Sequence, residues 1–301
     1  MFNINNNINN IYESYINFRN KINISFEMFP PSTESNKENF SETFKKLSKI
    51  NPSFFSITCN QNLGGNNKTF SLIESIKRKT KIDIVPHVTC IGCSKKELSD
   101  IVTNYWNSGV RKILALRGDN FSSNLNSDFC YASDFVYELK KIKNFEILVA
   151  AYPEKHPESK NKITDIYNLK RKIDNGANKA ITQFFFKIDN YLKFRDKCFS
   201  IGIKKEIVPG ILPIYDLLQL KRFIKMTNVS VPDWIYNVFH KVKNDSNSYK
   251  IISGIILFNI VNKLFKEGVR SFHFYTLNRS DIIYSISHLL KINKINISNI
   301  I

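Results

Sequence analysis

The segment NSGVRKILALRGD, residues 107–119, contains the pattern that decides the fold. A helical stretch ends at residues 107–109, where glycine is a common terminator. A largely apolar run of strand length follows at 111–116, and the polar residues Arg117 to Asp119 come directly after it. A strand without polar alternation is typical of a parallel sheet that helices cover on both faces. The segment therefore predicts an α/β fold.

The same order of helix end, apolar strand and polar residues recurs along the chain. The predicted strands are 23–28, 54–58, 83–88, 111–116, 146–151, 179–185, 206–211 and 271–275. Helical patterns lie between them at 36–49, 69–79, 94–107, 132–142, 163–175, 189–200, 215–226 and 249–267, with a longer insertion at 228–246. Eight strands are the number that closes a (β/α)8 barrel. An open doubly wound sheet is the alternative, but no G-x-G-x-x-G turn follows a strand.

We therefore expect a (β/α)8 TIM barrel that forms a single catalytic domain over residues 1–301. Residues 1–20 are expected to form an N-terminal extension with a lead-in helix, and a further helix is expected at the C-terminus. No run of about 18 uncharged apolar residues is present, and the N-terminus lacks the pattern of a signal peptide. These features predict a cytoplasmic protein with no membrane partner.

The chain carries a net charge of +18, which could indicate a nucleic-acid partner. Its lysines are scattered rather than clustered, and the abundance of Lys, Asn and Ile is typical of an AT-biased genome. We expect no nucleic-acid partner. Five cysteines argue against a disulfide framework. Cys90 and Cys93 have metal or redox spacing, but a single pair is weak support, so we interpret them as reduced thiols and expect no metal site.

Polar residues collect where the predicted strands end, which is where barrel enzymes place their active sites. Along the chain these residues are Glu27, Thr58, His87, Arg117 to Asp119, residues 152–158 and Gln183. Each has a structural explanation when taken alone, such as an ion pair or a hydrogen-bonded core residue. Six strands that offer polar groups at the same end together predict a site.

The chain contains the motifs SFEMFPP (25–31), PHVTC (86–90), ALRGD (115–119), YASDFV (131–136), VAAYPEKHPE (149–158), NLKRKIDNGANKAITQFFF (168–186), EIVPGILPI (206–214) and GVRSFHFYTLNR (268–279). Together they resemble the motifs of methylenetetrahydrofolate reductases of the short bacterial type, over about residues 22–290. The resemblance implies a barrel flavoprotein that binds FAD. It implies reduction of 5,10-methylenetetrahydrofolate to 5-methyltetrahydrofolate with NADH or NADPH, which supplies methyl groups for methionine. It also implies a homo-oligomer, either a dimer or a tetramer.

The resemblance also implies the residues of the site. Those carried over for FAD are Thr58, His87, Arg117, Gly118, Asp119, Ala132, Tyr152, His156, Asp165, Asn168, Arg171 and Lys172. Those carried over for the folate are Gln183, Gln219 and Arg279, with Phe223 as a candidate stacking platform. Arg171 and Lys172 are cations suited to a pyrophosphate. The loop at 59–67 departs from the family pattern, with Cys59, Asn60 and Gln61 where an aromatic residue and small residues are usual.

Two carboxyl groups are expected to carry the chemistry. Glu27 lies among Phe26, Met28, Phe29 and two prolines, and an apolar setting raises the pKa of a carboxyl group. We expect Glu27 to be the general acid that protonates a folate nitrogen, and Asp119 to stay ionised and stabilise the cation that forms.

Two alternatives remain at this point. One is a folate-binding barrel that transfers methyl groups without flavin, and the other is a basic RNA-binding protein that has lost its enzymatic role. Glu27, Asp119 and Gln183 are all present, which argues against the second.

Overall fold

The computed structural model describes residues 22–59, 65–118, 127–242 and 245–291. The described strands are β1 (Asn23–Met28), β2 (Phe54–Ile57), β3 (Asp83–Thr89), β4 (Lys112–Leu116), β5 (Glu146–Ala151), β6 (Lys179–Thr182), β7 (Glu206–Val208), β8 (Gly210–Ile211) and β9 (Ser271–Tyr275). The described helices are α1 (Glu34–Ser48), α2 (Gly65–Lys77), α3 (Lys95–Asn107), α4 (Ala132–Ile142), α5 (Lys162–Asp174), α6 (Ile188–Ser200), α7 (Leu217–Thr227), α8 (Asp233–Lys241), α9 (Ser246–Lys266) and α10 (Asp281–Lys291).

The strands close into a parallel barrel in the order β7-β6-β5-β4-β3-β2-β1-β9-β8. β7 pairs with β6 and β8 pairs with β9, and Pro209 alone separates β7 from β8. The prolyl ring has no N–H to donate, but the Pro209 carbonyl accepts a hydrogen bond from His273 N at 3.0 Å. The two segments are thus one interrupted barrel strand, and the predicted eight-stranded barrel is confirmed.

Side chains of the strands alternate between the barrel interior and the shell of helices. The interior contains one apolar cluster, made of Phe54, Val85, Leu114, Leu148, Ile181 and Val208. Phe26 faces the other way, since its ring lies 5.5 Å from Phe55 and 6.1 Å from Phe274 in the shell between strands and helices. Ser25 and Glu27 therefore point into the barrel.

The amino ends of five neighbouring strands are linked by ion pairs of alternating sign. Lys112 lies 3.1 Å from Asp83 and 3.3 Å from Glu146, and Lys179 lies 3.9 Å from Glu146 and 3.2 Å from Glu206. All five side chains are partly exposed, so each pair contributes about 1 kcal/mol or less. This ladder closes the end of the barrel opposite the expected site, where polar residues usually serve stability.

The helices differ from prediction in two places. The predicted insertion at 228–246 contains α8, which buries Ile235 and Phe239. The predicted strand at 179–185 ends at Thr182, although Gln183 N still donates to Ala151 O at 2.8 Å. The C-terminal helix is α10, whereas the lead-in helix lies outside the described residues. Within the described residues, α9 alone has the length and apolar composition of a membrane span, and here it packs against α10 and α6.

Candidate active site at the carboxyl ends of the barrel strands

Glu27 sits on β1 inside the barrel with 12% of its side chain exposed. Burial raises the pKa of Glu27 to about 8, so the carboxyl group is mostly protonated at neutral pH. The sequence predicted a raised pKa, but the reason it gave was wrong. Phe26 and Met28 face the helices, and Phe29 is 40% exposed. The barrel interior itself removes water from the carboxyl group.

His87 on β3 is a titratable neighbour of Glu27, with 3.6 Å between His87 Nε2 and Glu27 Oε2. That distance is too long for a hydrogen bond. Burial lowers the pKa of His87 to about 3, so the imidazole is neutral. Glu27 consequently gains no stabilisation of its charged form from this histidine.

Two residues of β9, which were not among the residues singled out from the sequence, complete this side of the site. Tyr275 pairs in register with Glu27, and its hydroxyl donates to the Thr182 carbonyl at 2.7 Å. His273 lies two residues earlier, with its Nδ1 2.8 Å from Ser25 Oγ. The SFHFY strand alternates phenylalanines with polar residues, which separates its two faces, and the register with β1 shows that the polar face points inward.

Gly210 provides the space in which Tyr275 lies. A Cβ atom at this position would overlap the Thr182 carbonyl oxygen and lie 2.6 Å from Tyr275 Cε2. The Gly210 N–H donates to Thr182 Oγ1 at 2.9 Å. A glycine is thus required at this position by the close approach of β6, β8 and the Tyr275 ring.

A second group of polar residues lies beyond β4 and β5. The Arg117 guanidinium pairs with Glu158 at 2.6 Å, and Gly118 adopts a positive φ of 92°. Asp165 on α5 accepts hydrogen bonds from His156 N at 2.9 Å and Ser159 Oγ at 3.0 Å. These contacts fix the loop between β5 and α5 next to the end of β4.

Lys172 reaches this region from α5 and donates from Nζ to the Ala150 carbonyl at 2.6 Å. Burial lowers the pKa of Lys172 to about 8, against the opposing effect of Asp165. No described carboxylate forms an ion pair with it. Asp165 therefore offsets only part of the cost of burying this ammonium, and an anionic ligand would relieve the rest.

A family model described as methylenetetrahydrofolate reductase matches residues 12–291. The chain belongs to the methylenetetrahydrofolate reductase family. A 5,10-methylenetetrahydrofolate reductase of Buchnera aphidicola from Schizaphis graminum is 50% identical over 273 residues, which cover 91% of this chain and 93% of the relative. The enzyme of Escherichia coli K12 is 45% identical over 278 residues, covering 92% and 94%. A rice protein, "Probable methylenetetrahydrofolate reductase (NADH)", is 30% identical over 270 residues, covering 84% and 46%.

Solved structures agree on the fold. An uncharacterised Clostridium thermocellum protein that binds two copies of 5-methyl-5,6,7,8-tetrahydrofolic acid has a TM-score of 0.63 at 16% identity, covering 97% of this chain and 100% of that one. A tryptophan synthase α-subunit from Pyrococcus furiosus has a TM-score of 0.53 at 10% identity, covering 90% and 98%. At these identities the likeness concerns the barrel alone.

The family resemblance named further residues, and the structure locates most of them. Gln183 Oε1 accepts from Phe184 N at 3.0 Å, and the Phe184 ring lies 6.3 Å from Phe223 and 6.4 Å from Tyr275. The ring of Phe184 therefore connects Gln183, Phe223 and Tyr275 in one cluster. The guanidinium of Arg279 lies over the ring of Tyr215 at 4.8 Å.

The remaining named residues take the following positions. Thr58 follows β2, Tyr152 packs edge-on against His156 at 4.6 Å, Gln219 is on α7, Ala132 begins α4, and Asn168 and the exposed Arg171 lie on α5. Asp119 and most of the 59–67 loop lie outside the described residues. Cys90 is buried and Cys93 partly so, both with free thiols, and their Sγ atoms lie 3.7 Å from the backbone oxygens of Arg117 and Thr89.

Proposed function

We propose that the chain reduces 5,10-methylenetetrahydrofolate to 5-methyltetrahydrofolate, with electrons that NADH or NADPH supplies through bound FAD. The observation that carries the proposal is Glu27, a carboxyl group held protonated inside the barrel at the end where its active site is expected. In the cytoplasm this reaction would supply methyl groups for methionine. The rice relative is named for NADH, which supports that nucleotide as the donor.

The hydrogen-bond donors that lie beyond the ends of β4 and β5 fit the phosphates of FAD. Lys172 and Arg117 offer cationic N–H groups to the phosphates, and the positive φ of Gly118 opens the backbone for close approach. Arg171, exposed on the same helix as Lys172, adds a third cation. When bound, FAD would store two electrons from the nucleotide and pass them on as a hydride. Glu27 and Gln183 would then be left to contact the substrates.

Glu27 supplies the proton that folate reduction needs. The methylene bridge of the substrate opens when a folate nitrogen is protonated, because protonation lets the C–N bond break and leaves an iminium carbon. The Glu27 O–H bond breaks as the new N–H bond forms, and hydride then adds to the iminium carbon to give the methyl group. A pKa of about 8 makes the acid available at neutral pH. Such general acids contribute about 10²–10⁴-fold.

Gln183 and Phe223 bind the two substrates in turn at one place. The Gln183 carbonyl oxygen is engaged by Phe184 N, so its amide nitrogen donates to the ligand. A pterin and a nicotinamide carboxamide both offer an acceptor for that donor. Phe223 stacks against the ring system, and Gln219 and Arg279 contact the folate further out. Asp119 remains a proposal from the family pattern, as the ionised carboxylate that stabilises the iminium cation.

Anaerobic stopped-flow spectroscopy of the purified protein tests this function. The flavin absorbance is expected to bleach with NADH or NADPH and to recover when methylenetetrahydrofolate is added. A colourless protein that converts methyltetrahydrofolate would support the methyl-transfer alternative instead. Light scattering of the same sample measures the mass, for which we expect a homo-oligomer.

A further inference from the structure

Three buried polar atoms inside the barrel, at the level of Glu27 or one layer below it, have no hydrogen-bond partner within the described part of the chain. They are Ser56 Oγ on β2, His87 Nε2 on β3 and His273 Nε2 on β9. Ser56 and His273 are fully buried, and His87 is 7% exposed. Three such atoms on three strands of one barrel point to a shared cause.

Strand register and one measured distance place the three residues beside Glu27 or one layer below it. Ser56 pairs directly with Glu27, so both side chains point inward side by side. His273 pairs with Ser25, one inward position below Glu27, and stacks on Phe54 at 5.7 Å. His87 Nε2 lies 3.6 Å from the carboxyl oxygen of Glu27. A charge on His87 would lower the pKa of His273, which shows that the two rings are close.

Packing does not explain this polarity. An unpaired buried polar atom costs about 1–3 kcal/mol, and the barrel interior elsewhere uses Val85, Leu114 and Leu148 instead. In a neutral imidazole, Nε2 takes the role opposite to the one that Nδ1 takes in its hydrogen bond with Ser25 Oγ, so Nε2 needs a partner of its own. A molecule as small as water satisfies two to four polar atoms of this kind.

We propose that Ser56, His87 and His273 hold a buried water against the Glu27 carboxyl group, and that His273 is a positioning residue that orients this water. The proposal rests on the proposed function of Glu27 as the acid. A hydroxyl and two neutral imidazoles carry no charge, so the water is free to accept from the protonated acid. It donates to the carboxylate once the proton has left. The site thereby stabilises the charged form that the reaction creates.

The groups that face Glu27 from the described strands define what else affects its titration. They are His87 on β3 and Tyr275 and His273 on β9, with Tyr152 after β5 acting on Tyr275. Both imidazoles are neutral at neutral pH, and burial keeps Tyr275 protonated. Removal of the water site then changes the pKa of Glu27 without a change in a neighbouring charge.

His273→Phe and Ser56→Ala test the proposal in the full-length protein. His273→Phe keeps the ring against Phe54 and removes both nitrogens, and Ser56→Ala is a smaller change in case the first variant folds poorly. Ser287→Ala is the matched control, because Ser287 Oγ is equally buried and unpaired but lies on α10. Infrared titration follows the carboxylic-acid band of Glu27, which is assigned by its loss in Glu27→Gln.

We expect the pKa of Glu27 to rise by about one pH unit in His273→Phe and in Ser56→Ala, because the carboxylate loses hydrogen bonds. The pKa in Ser287→Ala is expected to match the wild type. An unchanged pKa in either folded variant would overturn the proposal, as would an equal rise in the control. The titration needs neither flavin nor folate, so it decides this point even if the wild type fails to reduce methylenetetrahydrofolate.

Discussion

The carboxyl group of Glu27 lies 3.6 Å from the imidazole of His87, and both groups are neutral at pH 7. An acid and a base at this distance usually exchange a proton and form an ion pair. Here burial opposes a charge on either side, so the proton stays on the carboxyl group. Glu27 thus remains protonated beside His87, which is too weak a base to accept the proton.

The raised pKa of Glu27 makes the stability of the protein depend on pH. The folded state keeps the proton up to about pH 8, whereas the unfolded chain releases it near its ordinary pKa of 4.5. The folded state therefore binds more protons in this window, and its stability falls as pH rises through it. Glu27→Gln lacks the titrating group and so does not lose this stability. The free energy of unfolding of the variant, relative to that of the wild type, is therefore expected to increase from pH 5 to pH 8. Urea unfolding at both values measures the difference, and a constant difference would contradict the raised pKa.

Gly210→Ala is expected to destabilise the protein by about 3 kcal/mol or more, because the new methyl group meets the Thr182 backbone and the Tyr275 ring. Gly254→Ala is the control. Gly254 lies within α9, and its Cβ would make only ordinary contacts, at 3.8 Å with Ile282 and 3.9 Å with Ile286 on α10. Alanine in place of glycine stabilises a helix interior by about 0.5–1 kcal/mol. Urea unfolding measures the free energy of unfolding of both variants. A Gly210→Ala variant as stable as the wild type would contradict this account.

Lys172→Met is expected to weaken FAD binding by about 10- to 100-fold, because it removes a cation buried with only a carbonyl partner. Lys170→Met on the same helix is the control, since Lys170 pairs with Asp174 at 2.9 Å. Quenching of flavin fluorescence gives both dissociation constants. Equal FAD affinity in the two variants would place the phosphates elsewhere.

Gln183→Ala is expected to weaken both the nucleotide and the folate by about tenfold, which is the worth of one hydrogen bond to a buried ligand. Flavin reduction and flavin reoxidation, each followed over a range of substrate concentrations, give the two apparent dissociation constants. A variant with wild-type affinity for both would show that the amide serves only its bond to Phe184 N.

The sequence predicted the barrel because each apolar run is a strand in the structure. It also predicted the helix start at Ser94, where the capping box with Glu97 is present. The break at Pro209 was not predicted because it does not interrupt a clear periodic pattern. Helix α8 was not predicted because it does not extend one. These are local features that tertiary packing decides.

Glu27 was predictable because a carboxylate in an apolar run is costly unless it has a use. His273 and Tyr275 were not, because both faces of a barrel strand are buried and the alternation alone does not say which face is interior. The register with β1 settles that point, by pairing His273 with Ser25 and Tyr275 with Glu27. Pairing between residues almost 250 positions apart is information that a single strand does not contain.

The measurement that tests the central claim most directly is stopped-flow analysis of both half-reactions in wild type and Glu27→Gln, with the exposed Glu38→Gln as control. Flavin bleaching by the nucleotide is expected at a near-normal rate in all three, since that step needs no acid from the protein. Flavin reoxidation by methylenetetrahydrofolate is expected to fall by about 10²–10⁴-fold in Glu27→Gln alone. In the wild type it is expected to decline above about pH 8, where Glu27 loses its proton. Equal slowing of both half-reactions in Glu27→Gln, or a wild-type rate of folate reduction, would contradict the account.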